Sequence, residues 1–376
     1  MIKEVKFKDA FEFQKKSKIK AGDGLKLDEG EYFFYTSSNR LTKSINEYLF
    51  KKESLIFGTG GLASIHYCDE KFAVSTDCFV TQPKNSDELF LKYIYYFLSG
   101  NIHILENGFK GAGLKHISKG YISDIKIPLP PLDQQKKIAA ILDAADAYRQ
   151  KTKALITKYE ELTQSLFLDM FGDPVRNPMG WELVKFDELV SDDCPLTYGI
   201  VQPGDEFENG IPCVRPVDLK MQYINLSTLK RIDPVISSKF KRTILKGGEI
   251  LLSVRGSVGV ISIAGESLKD SNVTRGIVPI WFDKDLANKL FFYYLYRTKP
   301  IQRRLSELSR GATLIQINLK DLRELKLIKP SLEFQNQFAD SVQAIEVQKT
   351  QAQESLVQAE DLFNSLLQKA FKGELV

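Results

Sequence analysis

At 376 residues the chain exceeds the usual size of a domain built on one core, so two or more folding units are expected. A composition of 43% hydrophobic, 11% aromatic and 27% charged residues excludes a disordered or fibrous chain, and the richest apolar run, 290–296, is far too short to span a bilayer. The formal net charge of +4 permits nucleic-acid binding without requiring it.

The N-terminus is studded with Lys and Glu, lacks the apolar segment of a signal peptide, and carries a basic cluster at 15–20; a cytoplasmic protein is expected. Short β-type runs at 31–35, 54–57, 63–67, 72–75 and 78–81 precede an amphipathic helix at 88–99. Gly58-Thr59-Gly60-Gly61 sits between two of these strands and, without a GxxxxGK[ST] pattern, reads as a tight turn ahead of a ligand loop. A strand at 125–129 ends at Pro130-Pro131, and Asp133 is placed as the N-cap of a long helix. Along that helix Ile138, Leu142, Ala145, Tyr148, Thr152, Leu155, Tyr159, Leu162 and Leu166 recur mostly in alternating steps of four and three, the seam of a coiled coil. Gly172-Asp173-Pro174 stops the helix, and Asn177-Pro178-Met179-Gly180-Trp181 leads into a second variable region. There, strands at 249–254, 258–264 and 276–282 and a helix at 285–297 mirror the first region, with Arg255-Gly256-Ser257-Val258-Gly259 at the equivalent hairpin. A second seam follows at Phe338, Val342, Ile345, Gln348, Ala352, Ser355, Ala359, Leu362 and Leu366.

The two halves are a tandem repeat. Gly111, Leu114 and Ile117 lie over Gly311, Leu314 and Ile317, an offset of 200 that holds through Lys126 and Lys326, Pro130 and Pro330, Gln135 and Gln335, Glu160 and Glu360, and Phe171 and Phe371. Upstream, the same shift sets Tyr93 and Tyr96 on Tyr293 and Tyr296. Each tail helix is about 55 Å long at 1.5 Å per residue, longer than a small domain is wide, and the matching seam is in the other tail. The two are therefore expected to pair antiparallel. The expected fold is α+β: two tandem domains of mixed β-sheet plus helices, 1–131 and 172–331, separated by two long antiparallel coiled-coil helices, 132–171 and 332–376, in a pseudo-twofold internal repeat.

Catalytic constellations are missing. The chain offers Asp173-Pro174-Val175, Asn177-Pro178-Met179 and Asp233-Pro234-Val235 but no [DN]-P-P-[YFW] loop to hold a flipped base. Asp124-Ile125-Lys126 and Glu324-Leu325-Lys326 have the acid-x-Lys form of metal-dependent nucleases but are repeat-equivalent strand residues with no upstream acidic partner. His66, His103 and His116 are isolated, and Cys68, Cys78, Cys194 and Cys213 form no CxxC or ligand spacing, so structural thiols and no metal site are expected.

The G-x-G-L-K-x-I tail, the Pro131-Leu132-Asp133-Gln134-Gln135-Lys136-Lys137-Ile138 junction and the second domain's opening Gly180-Trp181-Glu182-Leu183 together resemble the specificity (HsdS) subunits of type I restriction-modification systems. The second junction, Lys329-Pro330-Ser331-Leu332-Glu333-Phe334-Gln335, is a looser match. The resemblance implies a non-catalytic subunit in which each domain reads one half of a bipartite asymmetric site in double-stranded DNA and the helices set a non-specific spacer. It also implies methyltransferase subunits, two per chain, that bind S-adenosylmethionine, and restriction/translocase subunits that bind ATP and Mg. The alternative is a coiled-coil scaffold or a stand-alone DNA-binding protein without a restriction partner. Candidate DNA contacts are turn residues beside the glycines: Thr36, Ser37, Ser38, Asn39, Arg40, Thr59, Lys110, Lys115 and His116 in the first domain, and Tyr198, Gln202, Arg215, Arg255, Ser257, Arg275, Arg310, Thr313 and Gln316 in the second. The series Arg297, Lys299, Arg303 and Arg304, like the 15–20 cluster, reads as charge facing the phosphate backbone.

Overall fold

The computed structural model describes residues 3–309 and 315–375. It divides into two compact units: Met1–Ala154 with Ala352–Val376, and Leu155–Gln351. Each long helix gives one half to each unit.

In the first unit a short ribbon closes the domain, Lys3–Lys6 running antiparallel to Lys126–Leu129, the strand that feeds the central helix. One four-stranded antiparallel sheet runs in the order Phe11–Phe13, Cys78–Pro83, Ser54–Gly58, Ile65–Cys68. A second, mixed sheet runs Leu25–Lys26, Lys43–Ile45, Tyr32–Tyr35, Phe72–Val74, its last pair parallel. The helix Leu91–Gly100 buries Leu91, Tyr93, Ile94, Tyr96 and Leu98, and these pack with Ile138, Leu142, Phe363 and Ala370 of the long helices in one core.

The second unit repeats this plan. Glu182–Lys185 pairs antiparallel with Lys326–Lys329, Ile250–Ser253 lies between Ile261–Ile263 and Ile277–Ile280, and Ile211–Val214 lies between Lys230–Ile232 and Asn272–Val273. The helix Lys289–Arg297 is capped by Asn288, whose carboxamide oxygen accepts from the Leu290 amide at 2.9 Å. Of the acid-x-Lys motifs only Lys126 and Lys326 are strand residues; Asp124 ends the short helix Lys119–Asp124 and Glu324 caps the helix Leu319–Arg323, against the expectation of strand for both. Asp124 accepts from Lys6 and Lys8, which hold its carboxyl below the usual range, and Glu324 is held likewise by Lys185 at 2.9 Å.

The helices Leu132–Phe171 and Leu332–Lys372 pair antiparallel within each unit. In the first, Lys153 meets Glu360 at 3.0 Å while Arg149 lies over Phe363; in the second, Lys349 meets Glu160 at 3.1 Å while the Phe167 ring is 5.5 Å from Phe338. The central helix starts at Leu132, with Pro131 O accepting the amides of Gln134 and Gln135, so Asp133 lies in the first turn and is not the cap. It stops at Gly172, whose φ of +72° a side chain would resist.

The seam departs from the expected one by a single step. After Ala145 the inward positions are Arg149, Thr152, Ile156, Tyr159 and Thr163, while Tyr148, Leu155 and Leu162 are 53%, 42% and 49% exposed. On the distal helix Lys349 and Phe363 likewise face in, and Gln348 and Leu362 face out. Polar groups occupy these places with most of their polar atoms engaged, the buried Arg149 Nε being an exception. The Thr152 and Thr163 hydroxyls donate to the carbonyls four residues back, and Arg149 stacks on Phe363.

The repeat offset also changes. Gln135 and Gln335 are both fully buried and make the same three bonds: to Phe90 N, Glu88 O and Pro130 O in one unit, and to Asn288 N, Leu286 O and Pro330 O in the other. Their tails are 200 residues apart, but Phe90 and Asn288 are 198 apart. Tyr96 therefore corresponds to Tyr294: the Tyr96 hydroxyl donates to Asp143, the Tyr294 hydroxyl to Glu346.

Candidate nucleic-acid interface

In the first unit three loops are laced into one surface. The Ser37 hydroxyl donates to Asp77 O at 2.7 Å and accepts the amides of Thr59 and Gly60 at 3.2 Å. Thr59 is buried, its hydroxyl donating to Asp77 O. Lys110 and His116 exchange backbone bonds at 3.0 Å, Gly61 N donates to Lys115 O, and Ile117 N donates to Thr59 O. Gly61 holds a φ of +81°, so the turn requires glycine where it meets the 110–116 loop. Ser38, Asn39, Arg40, Lys110, Lys115 and His116 are exposed on these loops, and Thr36 is half-buried. His66 anchors the base: its Nε2 is 2.8 Å from Ser38 O, its ring lies on Tyr35, and burial lowers its pKa. Leu62 and Leu114, 77% and 78% exposed, flank this basic and polar surface.

The second unit builds the same lacing from different residues. Gly256 N donates to Ile315 O at 2.9 Å, Ile317 N donates to Val254 O, and Arg255 bridges Gln316 as Gly60 bridges His116. The backbone scaffold is shared, while the side chains it presents are Arg255 against Gly60 and Gln316 against His116. Ser257 is exposed at the turn. Arg275 is exposed too, and joins Arg255, Thr274 and Pro216 around a shallow cleft of about 260 Å³. Gln202 is exposed on the neighbouring loop. Arg215 is committed elsewhere: Asp218 takes its fork with two bonds of 3.0 Å and holds the guanidinium all the more firmly protonated. Tyr198 donates to Ile317 O at 3.2 Å and lines a cleft of about 350 Å³ with Lys239, Lys241 and Arg242. Those three cations escaped the sequence reading, although the Lys239-Phe240-Lys241-Arg242 run was a visible signal. Arg310 and Thr313 lie outside the described residues. Arg297 is exposed, and it donates to the Tyr293 hydroxyl and stacks on that ring.

Among the described residues no group of three or more His, Cys, Asp or Glu is placed to hold a metal ion, the four cysteines are buried and free, and no helix is long and apolar enough to cross a membrane. Burial pushes the Cys78 and Cys213 thiols up to about 12, which suits packing and not nucleophilic work.

A duplicated α+β unit that presents variable side chains from a fixed loop scaffold defines the class. The chain belongs to the type I restriction modification DNA specificity domain family, whose profile matches residues 2–163 and again 206–357. It is 26% identical over 314 residues to the type I restriction enzyme EcoBI specificity subunit of Escherichia coli; that match takes in 76% of this chain and 65% of the relative. To the MjaVIII specificity subunit of Methanocaldococcus jannaschii it is 27% identical over 342 residues, 84% of this chain and 78% of the relative. Two solved structures share the fold. One is the S subunit of a type I restriction-modification system from M. genitalium, with a TM-score of 0.59 and 16% identity over 98% of this chain and 95% of that one. The other is a chain of a type I R-M system, with a TM-score of 0.57 and 19% identity over 99% of this chain and 98% of that one.

Proposed function

We propose that the chain is the DNA-specificity subunit of a type I restriction-modification complex, each domain reading one half of a bipartite site in double-stranded DNA. The observation that carries this reading is the common loop scaffold with divergent side chains, Gly60 against Arg255 and His116 against Gln316. Independent readers of different sequences would differ in this way, because bidentate Arg, Gln and Asn contacts specify bases while the backbone only places them. Ser38, Asn39, Arg40, Lys115 and His116 would contact one half-site, and Arg255, Ser257, Arg275 and Gln316 the other, with Lys239, Lys241 and Arg242 on phosphates.

The chain itself performs no chemistry in this reading; methyltransferase subunits supply S-adenosylmethionine and restriction subunits supply ATP and Mg. Exposed apolar side chains support docking of such partners. On the central helix Ile141 and Tyr148 of the first unit are 37% and 53% exposed, and Leu155 and Leu162 of the second are 42% and 49% exposed, apolar side chains of the kind a partner helix covers. The test is to co-purify the chain with a type I methyltransferase subunit and map the methylated motif, then repeat with residues 1–110 exchanged for those of a relative. One half-site should change. Changes in both halves, or S-adenosylmethionine turnover by the chain alone, would refute the reading.

A further inference from the structure

The two units differ at one place on their helix seams, and the difference opens a cavity. In the first unit Phe363 closes the seam: it is 7% exposed, its ring centre lies 6.2 Å from that of Tyr96, and the Arg149 guanidinium sits 4.3 Å from it. The tail offset of 200 puts Thr163 at this position in the second unit. Its side chain is turned into the seam, 2% exposed, but it is too small to fill the space, and its hydroxyl is already bonded to Tyr159 O at 3.0 Å. The neighbours are retained. Tyr294 stands for Tyr96 and Lys349 for Arg149, and between them, with Phe167, Leu168 and Pro300, lies a cavity of about 400 Å³.

We propose that this cavity is a binding site for an aromatic side chain presented by a partner polypeptide, seated as Phe363 is seated in the other unit. The charges deepest in the seam are paired within the fold: Lys349 pairs with Glu160 at 3.1 Å and Glu346 at 3.7 Å, and the Tyr294 hydroxyl donates to Glu346 at 3.0 Å, while Arg297, which donates to Tyr293, and Lys299 are exposed. A charged ligand would have to break these pairs, whereas a neutral ring displaces only water. Such a ring gains the edge contact of Tyr294 and the cation–π contact of Lys349, the two groups whose counterparts grip Phe363. The template is a side chain on a polypeptide, and the lining includes Gln164 and Lys299, polar groups suited to a peptide backbone flanking the anchor. The lining includes Arg297 and Lys299 of the series expected to face phosphates but none of the residues assigned to base reading, so the site stands or falls apart from that base-reading assignment.

The experiment titrates the full chain with N-acetyl-L-phenylalaninamide, N-acetyl-L-leucinamide and adenosine, read by ligand-observed saturation transfer. The phenylalanine amide should bind saturably and about tenfold more tightly than the leucine amide, the aromatic contacts being absent from the latter. Thr163→Phe, which supplies the ring within the chain, should abolish that binding and raise the unfolding temperature. Leu168→Trp covers the cavity from a half-exposed position and should also block binding, so the test survives if Thr163→Phe fails to fold. Equal affinity for the two amides, adenosine as the tightest of the three ligands, or saturable binding that persists in the variants would each overturn the proposal.

Discussion

Gln135 shows how much one buried polar side chain can settle. It spends its carboxamide on three backbone groups, Phe90 N, Glu88 O and Pro130 O, and so ties the start of the short helix to the start of the long one. Gln135→Leu keeps the volume but leaves those groups unpaired, and should cost about 2–3 kcal/mol in urea unfolding. A loss below about 0.5 kcal/mol would show that water replaces the carboxamide. In the sequence this residue was one letter of a repeat, legible as equivalent to Gln335 but not as the clasp. The clasp also corrects the repeat itself. Aligning tyrosines by a constant offset paired Tyr96 with Tyr296, but the hydrogen bonds pair it with Tyr294, because a two-residue difference in the intervening segment leaves no trace in an ungapped comparison. Arg215 was a candidate reader by residue type alone; that Asp218 three residues on would claim its fork is a matter of loop geometry.

At the scale of elements, the long helices were plain in the sequence because their periodicity runs for some forty residues, and both are present at Leu132–Phe171 and Leu332–Lys372. Which face turns inward was not plain. The helix carries apolar residues on two faces, and counting apolar letters favoured Tyr148, Leu155 and Leu162 over Arg149, Ile156 and Thr163. Short strands such as Leu25–Lys26, Lys43–Ile45 and Lys230–Ile232 were missed because two or three residues cannot display an alternation. The outward apolar residues yield a prediction. Tyr148→Glu with Leu155→Glu should leave the thermal midpoint of the isolated chain within about 2 °C, since surface substitutions change stability by about 0.5 kcal/mol or less, yet should weaken assembly with the methyltransferase subunit at least tenfold in sedimentation. Unchanged assembly would move the partner to another surface. The antiparallel pairing leads to a second. Matched heptads inserted after Lys153 and after Gln351 keep both seams in phase and add about 10 Å, so the spacer between methylated half-sites should grow by about three base pairs. An unaltered spacer in a folded, methylating variant would place the ruler in the partner subunits.

For the whole molecule, the duplication was readable and the α+β class with it, since matched strand runs and a shared tail repeat across the chain. The proposed function was legible through the family resemblance more than through any motif, because readers of DNA need no fixed constellation of the kind that a metal or a nucleophile demands. The net charge of +4 is spread over readers, ribbons and helices alike, so it singles out no surface by itself. A whole-molecule measurement addresses the charge instead. The affinity of the assembled complex for its site should fall steeply between 50 and 200 mM salt, and Lys239→Ala with Lys241→Ala should flatten the log–log slope by about 2 without changing the motif, as expected of phosphate contacts. A changed motif would make them base readers.

The backbone lacing of the reading loops bears on how such a protein can evolve. Gly256 N to Ile315 O and Ile317 N to Val254 O join the second unit's loops by main-chain bonds, to which the Tyr198 hydroxyl adds one on Ile317 O. The side chains of Arg255 and Gln316, half-buried, and of Ser257, exposed, take no part in those main-chain bonds, so substitution there leaves the lacing itself in place. A lineage can wander through many recognition sequences at these positions without passing through unfolded intermediates. Diversity in what is read then accumulates at the rate at which point mutations arise, gated by selection on the new site alone.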